Sequence, residues 1–279
     1  MLANGAISSD EYKRFQEFLE QVAGIVLGRN KQYLVDSRLG YIMAEEGIAT
    51  LGELLSRIQG LGDPKLRERV IDAMTTNETL WFRDSKPYRL LEQLILPKFA
   101  GRPLRIWSAA CSSGQEPYSI SFTVEEFRER NPAAAPSRVE IVATDLSGSM
   151  LASAKAAEYD AMSIARGLTT QQKQKFFDQR GQHWVVKPQY RRGVSFRKLN
   201  LQDSFSALGR FDVVFCRNVL IYFSAELKRD ILNRMADVLH PEGYLILGSS
   251  ESVNGYSERY HTERHPQGVL FRPSGDAGE

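Results

Sequence analysis

Over residues 8 to about 75 the apolar positions recur with the period of a helix. Phe15, Phe18, Leu19 and Val22 fall at i, i+3, i+4 and i+7, with Ser8, Ser9 and Asp10 just ahead of them as candidate N-caps. Leu51, Leu54, Leu55 and Ile58 repeat the spacing, and Leu66, Val70 and Met74 continue it behind Pro64, a residue suited to a first helical turn. No strand-like alternation interrupts these runs. Residues 1–75 are therefore predicted to form an all-helical N-terminal domain.

From Leu104 the pattern changes to short apolar runs separated by amphipathic stretches: LRIWSAA (104–110), VEIVATD (139–145), FDVVFCR (211–217) and YLILG (244–248). Helical spacing lies between them around 116–130, 147–157 and 225–239. Strands without polar alternation, joined through helices, predict a parallel sheet covered on both faces, the doubly wound α/β class, over residues 104–279. Residues 76–103 form a linker and lead-in helix, NPAAAPS (131–137) a loop, and HPEGY (240–244) the stop before the last strong strand. One stretch breaks the alternation: TTQQKQKFFDQRG reads as helix, then HWVVKP and GVSFRKLNL as short strands across a polar turn. A strand pair there predicts a subdomain inserted at about 160–198, and the tail SGDAGE (274–279) is expected to be disordered.

Hydrophobic residues at 42% and charged residues at 25% of 279 are ordinary for a globular chain with a sizeable core. No apolar run approaches the ~20 residues of a membrane span, and MLANGAISSD lacks the basic start and apolar stretch of a signal peptide. A cytoplasmic protein without direct membrane insertion is expected. Cys111 and Cys216 each follow a strand-like run, which suits buried thiols in a reducing compartment. His183, His240, His261 and His265 show no metal-binding spacing, so no metal site is predicted. The net charge of +2 hides a basic segment: residues 166–200 hold nine Lys or Arg against one acid, Asp178, which suggests an anionic partner.

Chemistry concentrates at the predicted strand ends. SAACSSGQEPYSI (108–120) runs from strand through a small-residue turn into a helix, a shape that lets a ligand approach the backbone. With Gly114 its only glycine it is neither G-x-G-x-x-G nor a P-loop. Glu116 would repel phosphate and suit a cationic group such as the amine of S-adenosylmethionine; it suits equally a first-turn acid favoured by the helix dipole. Asp145 ends the second strand, where an acid accepts hydrogen bonds from both ribose hydroxyls or caps the helix starting near Ser147. FDVVFCRNVLIYF (211–223) delivers Arg217 and Asn218 at the third strand's end, with Tyr222 and Phe223 behind them for adenine or substrate contact, or for packing.

Together TTNETLWFRD (75–84), RIWSAACSSGQEPYSI (105–120), ATDLS (143–147), KLNL (198–201) and FCRNVLIYF (215–223) resemble, in order, the motif set of the CheR methyltransferases, which methylate glutamate side chains of chemotaxis receptors. The resemblance implies a helical N-terminal domain before a Rossmann-like S-adenosylmethionine-dependent methyltransferase domain with a small inserted antiparallel β-subdomain. It implies cofactor contacts at Asn77, Thr79, Arg83, Glu116, Asp145, Asn200, Leu201, Arg217 and Asn218, and catalytic roles for Arg83 and Tyr222 near the reacting methyl. S-adenosyl-L-homocysteine would be the product. Gln115 stands where many members carry an acid, while Glu116 keeps its place. The implied partners are the receptors' cytoplasmic domains, with a receptor C-terminal tail peptide on the β-subdomain, and no nucleic acid. Two other functions compete: a nucleic-acid methyltransferase using the basic segment, which lacks the Asn/Asp-Pro-Pro-Tyr/Phe motif, and a receptor-binding homologue without turnover.

Overall fold

The computed structural model describes residues 7–60 and 62–274; the rest of the tail expected to be disordered lies outside them. Four helices come first: α1 (Ser9–Ala23), α2 (Gln32–Glu45), α3 (Leu51–Ile58) and α4 (Pro64–Met74). Ser8 and Glu11 form a capping box at the start of α1, and Asp63 caps α4 through the N–H groups of Lys65 and Leu66. The apolar stripes read from the sequence meet in one core with Val35, Leu39, Ile42 and Met43 of α2. α2 carries the same spacing but has no side-chain N-cap to announce its start.

The chain then runs through an irregular segment, with a turn at 81–84, to α5 (Lys86–Leu90), which continues through a π turn and a 3-10 turn to Phe99. After it come β1 (Pro103–Ala109), α6 (Gln115–Arg130), β2 (Arg138–Asp145), α7 (Gly148–Ala156), β3 (Glu158–Tyr159), α8 (Ala161–Ala165) and α9 (Thr170–Phe176). Next are β4 (Phe177–Arg180), β5 (His183–Val186), α10 (Pro188–Arg191), β6 (Val194–Lys198), β7 (Phe211–Cys216) and α11 (Ala225–Asp237). The chain closes with β8 (Leu239–Leu247), β9 (Tyr260–His265) and β10 (Gly268–Pro273).

Seven strands make one sheet in the order β6-β2-β1-β7-β8-β10-β9. The first five are parallel, and β10 runs antiparallel to both its neighbours. Side chains alternate across it: Ile106, Val213, Phe215 and Ile246 pack against α6 and the π turn, while Trp107, Val214, Cys216 and Leu245 pack against α11. Both faces are covered, which is why these strands read as continuous apolar runs. This is the α/β class expected from the sequence, and a small antiparallel sheet, β3-β5-β4, stands apart from it.

Three details differ from the sequence reading. GVSFRKL does not pair with HWVV; as β6 it lies parallel to β2 at the edge of the main sheet, with Phe196 opposite Ala143 and packed among Cys111, Ala143 and Leu151. HWVV pairs instead with Phe177–Arg180, expected as the end of a helix, across a turn at Gly181, and with β3. The helix before HPEGY ends at Asp237, as expected, and within β8 the pairing jumps across it, from Leu239 opposite Phe211 to Tyr244 opposite Val213. The β9–β10 hairpin was not foreseen, because an edge strand with His261, Glu263 and Arg264 carries little apolar signal.

Part of the basic segment is paired within the chain. Arg166 pairs with Glu78, Lys175 with Glu126 and Glu129, and Lys198 with Glu68, while Lys187 and Arg191 donate to main-chain carbonyls. Three of its nine cations thus face acids, and two more hydrogen-bond to main-chain carbonyls.

Trp81 fixes the linker that precedes α5. Its ring is fully buried, stacked on Phe122 at 5.8 Å and edge-on to Tyr159 at 4.8 Å and Phe177 at 5.0 Å. Trp81→Ala is expected to cost about 3–5 kcal/mol, the range for removing a large aromatic from a core. Urea unfolding measures this, and a loss below about 1 kcal/mol would mean that the ring stack does not hold the linker.

Candidate functional site

The carboxyl ends of β2, β1 and β7 meet at one edge of the main sheet, and β1 lies between a connection that leaves toward β2 and strands added on its other side. Open α/β sheets bind ligands at such a point. A cleft of about 980 Å³, counting the part open to solvent, lies there, walled by the strand ends, the linker and the end of the helical domain. Asn77, Thr79, Arg83, Glu116, Asp145, Asn200, Leu201, Arg217, Asn218 and Tyr222, ten residues from five separated segments, all line it.

The turn leaving β1 is held in a costly shape. Ala110 and Ser112 have φ of 57° and 51°, the left-handed region that residues with a Cβ seldom adopt. Main-chain bonds from Cys111 N–H to Thr144 O and from Gly114 N–H to Cys111 O over-determine it, as does the Tyr159 hydroxyl donating to Ser113 O. Gly114 has φ 95°, and a Cβ there would come within 3.0 Å of the Ala154 Cβ. Only glycine fits that start of α6, which matches the small-residue turn read from the sequence.

Glu116 lies in the first turn of α6, but its carboxylate is turned onto the sheet rather than toward solvent. Oε1 accepts from the Ser108 hydroxyl at 2.8 Å and Oε2 from Arg217 Nη1 at 3.0 Å. Burial pushes this carboxyl up, opposed by Arg217 and Ser108. The Arg217 side chain is 1% exposed, and its Nη2 donates both to Asp84 Oδ2 at 2.8 Å and to Arg83 O at 2.7 Å. Arg217 thereby joins the acid in the first turn of α6 to the linker segment that carries Arg83.

Asp145 does not cap α7; Ser147 does, accepting from Met150 N–H. The Asp145 oxygens accept from Ser112 N–H at 2.7 Å and Ser147 N–H at 2.9 Å, one each. Each oxygen keeps a further lone pair for a ligand. Burial pushes this carboxyl up as well, against those amides.

The helical domain forms part of the wall, with Ala23 and Ile25 lining the cleft. Asn200 Nδ2 donates to Val22 O at 2.9 Å, and Val26 N–H to Tyr222 O at 2.9 Å, so the chain beyond α1 holds two of the predicted site residues. Arg38 of α2 donates to the carbonyls of Met74 and Thr75 and to the Thr76 hydroxyl, fixing the start of the linker. Arg83 itself makes one side-chain hydrogen bond among the described residues, Nη1 to Glu78 O at 2.8 Å.

Sequence reasoning missed Arg38, Asp84, Ser108 and Glu251, each of which bonds a lining residue or its main chain. Asp84 stood beside Arg83 in a motif already noted; Arg38 and Glu251 lie in stretches with no motif, where only three-dimensional contact reveals them.

Two family models match the chain: the "CheR methyltransferase, all-alpha domain" over residues 10–75 and the "CheR methyltransferase, SAM binding domain" over residues 77–269. Among curated proteins, the chain is 54% identical to chemotaxis protein methyltransferase 1 of Pseudomonas aeruginosa, over 94% of this chain and 97% of that protein. It is 52% identical to chemotaxis protein methyltransferase Cher2 of Pseudomonas putida, with the same coverage. A chemotaxis protein methyltransferase of Vibrio parahaemolyticus is 47% identical over 95% of this chain and 98% of its own length.

Proposed function

The chain belongs to the CheR methyltransferase family, and from that premise we propose that it transfers the methyl group of S-adenosylmethionine to glutamate side-chain carboxylates of chemotaxis receptors, releasing S-adenosylhomocysteine. The observation that carries this reading is the convergence of Glu116, Asp145 and Arg83 on one cleft in which no lining residue is a histidine.

The donor set fits the nucleoside. Glu116 would take its ammonium end and Asp145 its ribose hydroxyls, with Asn200, Leu201 and Asn218 around the adenosine and Asn77 and Thr79 closing from the linker. Arg217, whose guanidinium is engaged on Glu116, Asp84 and Arg83 O, acts on that site by holding Glu116. When bound, S-adenosylmethionine supplies a methyl group already activated by its sulfonium.

What remains for the chain is alignment. A glutamate acceptor has a pKa near 4.3, so it is ionised at neutral pH and requires no general base. Arg83, with one hydrogen bond to Glu78 O, keeps the rest of its planar fork for a carboxylate, which guanidinium binds bidentately. Tyr222 bounds the approach from the opposite strand end. Pre-organisation of this kind can lower a barrier by roughly 7–11 kcal/mol.

The reading places the enzyme in the cytoplasm with the receptors' cytoplasmic domains. Among the described residues no helix is long and apolar enough to cross a membrane. In the small sheet, β3 and β4 are edges, and an edge can accept an extended receptor tail as an added strand.

Cofactor capture should depend on pH. Glu116 must be ionised to hold an ammonium group, and its carboxyl is raised by burial. Affinity for S-adenosylhomocysteine is expected to fall on acidification, beginning above the ordinary carboxylate range; a titration curve flat down to that range would contradict the assignment of Glu116.

The function is tested by incubating the protein with methyl-labelled S-adenosylmethionine, receptor-containing membranes and, separately, nucleic acid. Label is expected on receptor glutamates as a base-labile ester, located by mass spectrometry. Label on nucleic acid, or no transfer at all, would overturn the proposal.

A further inference from the structure

The loop leaving β7 carries five residues of the cleft lining, Arg217, Asn218, Val219, Tyr222 and Phe223. Asn218 has φ 58°, in the left-handed region that asparagine enters more readily than most residues with a Cβ, and the loop turns there. The N–H groups of Asn218, Val219 and Leu220 all donate to one carboxylate, that of Glu251. Oε2 accepts from Asn218 at 2.7 Å, and Oε1 from Val219 at 3.0 Å and Leu220 at 2.8 Å. Gly248 N–H adds a fourth bond to Oε2 at 2.8 Å.

Four donors fill the acceptor capacity of a carboxylate. Successive amides aimed at one anion form a nest, which favours a negative charge at its focus. A glutamine of the same shape would present N–H against N–H at one side and lose two of the four bonds. The fit is close on the other side too: a Cβ on Gly248 would come within 2.6 Å of Glu251 Oε2 and 3.0 Å of both Asn218 nitrogens, N and Nδ2. Glu251 itself is not among the residues lining the cleft.

We propose that Glu251 is a positioning residue for methyl transfer: by gripping the main chain at 218–220 it sets Asn218 and Tyr222 in the cleft without touching the transferred group. The inference rests on the function proposed above for what those two residues do. The grip itself has a purely structural counterpart, a tie between the ends of β7 and β8, and the experiment separates the two.

Glu251→Gln and Gly248→Ala are made in the full chain. Each is expected to lower kcat for receptor methylation on the order of 10²-fold, the effect of misplacing reacting groups by about an ångström. The receptor KM should stay within about threefold, since uniform binding is untouched. Because both changes break one cluster, the double variant should cost no more than the worse single one. A kcat within about twofold of wild type in folded Glu251→Gln protein, at temperatures well below its melting point, overturns the proposal. Should that variant not fold, Gly248→Ala is judged by the same criterion. In the same samples the amide proton resonances of Asn218, Val219 and Leu220 should lie downfield in wild type and move upfield in both variants, as charge-assisted hydrogen bonds are lost. That readout is independent of substrate, so a wild type that shows the resonances but methylates no receptor would refute the function and leave the grip standing.

Discussion

Arg83→Ala is expected to lower methyl-ester formation by about 10²- to 10³-fold in kcat while leaving the fold intact, the range seen when one pre-organised donor is removed from a reacting centre. The side chain is partly exposed, and its one internal bond is to the carbonyl of Glu78 five residues earlier, so its loss should change stability by no more than about 0.5 kcal/mol. Arg83→Lys should recover only part of the rate, because an ammonium keeps the charge but not the planar fork. Labelled-methyl turnover beside a thermal melt measures both quantities. Turnover near wild type in Arg83→Ala would remove Arg83 from the chemistry.

Arg217→Met acts by another route. The guanidinium is the cation facing a buried Glu116, and removing it leaves that carboxylate without its partner. Breaking a buried pair from one side costs about 3–5 kcal/mol, far more than exposed ion pairs contribute. The variant also frees Asp84 and Arg83 O, so the linker segment carrying Arg83 should loosen. Burial without Arg217 raises the Glu116 carboxyl still further above its unfolded value. A folded pKa that is raised means stability present at low pH and lost as pH climbs through it. Arg217→Met should therefore regain stability on acidification, between the raised and the ordinary carboxylate values, and adding Glu116→Gln should restore stability at neutral pH without restoring cofactor binding. Urea unfolding across pH tests this; a penalty under about 1 kcal/mol at neutral pH would show that Arg217 does not neutralise Glu116.

The fold was legible where burial dictates composition. The parallel strands are covered on both faces, so their apolar runs stood out, and the helices of the first domain were marked by stripes, by the cap at Ser8 and by Pro64 in a first turn. Legibility failed where an element is exposed or only locally paired. β9 is a polar edge, and Phe177–Arg180 continues an amphipathic helix until the Gly181 turn folds it into a hairpin. The polar turn between HWVVKP and GVSFRKLNL made β6 look like a hairpin strand, whereas Phe196, packed on Ala143 and Leu151, belongs to the main sheet.

For the site, the strand ends pointed to Glu116, Asp145, Arg217, Asn218 and Tyr222, and the family resemblance supplied Asn77, Thr79, Arg83, Asn200 and Leu201; the fold brings all ten to one cleft. Their support was not readable. Asn200 and Tyr222 are tied to the chain between Val22 and Val26, and the linker to Arg38, all in a stretch where the sequence offered helical stripes but no site motif. Periodicity reports which face a residue is on, not which distant carbonyl it meets. Arg217 shows the same limit: its place at the end of β7 was clear, but its engagement with Glu116 and Asp84 required the linker to fold back over it.

The most direct test of this account is calorimetric titration of the purified chain with S-adenosylhomocysteine, alongside Asp145→Ala. One molecule is expected to bind per wild-type chain, and loss of the carboxylate between Ser112 and Ser147 should abolish most of that affinity. A wild type that takes up no ligand, or an Asp145→Ala protein that binds as wild type does, would contradict a nucleoside seated across these strand ends.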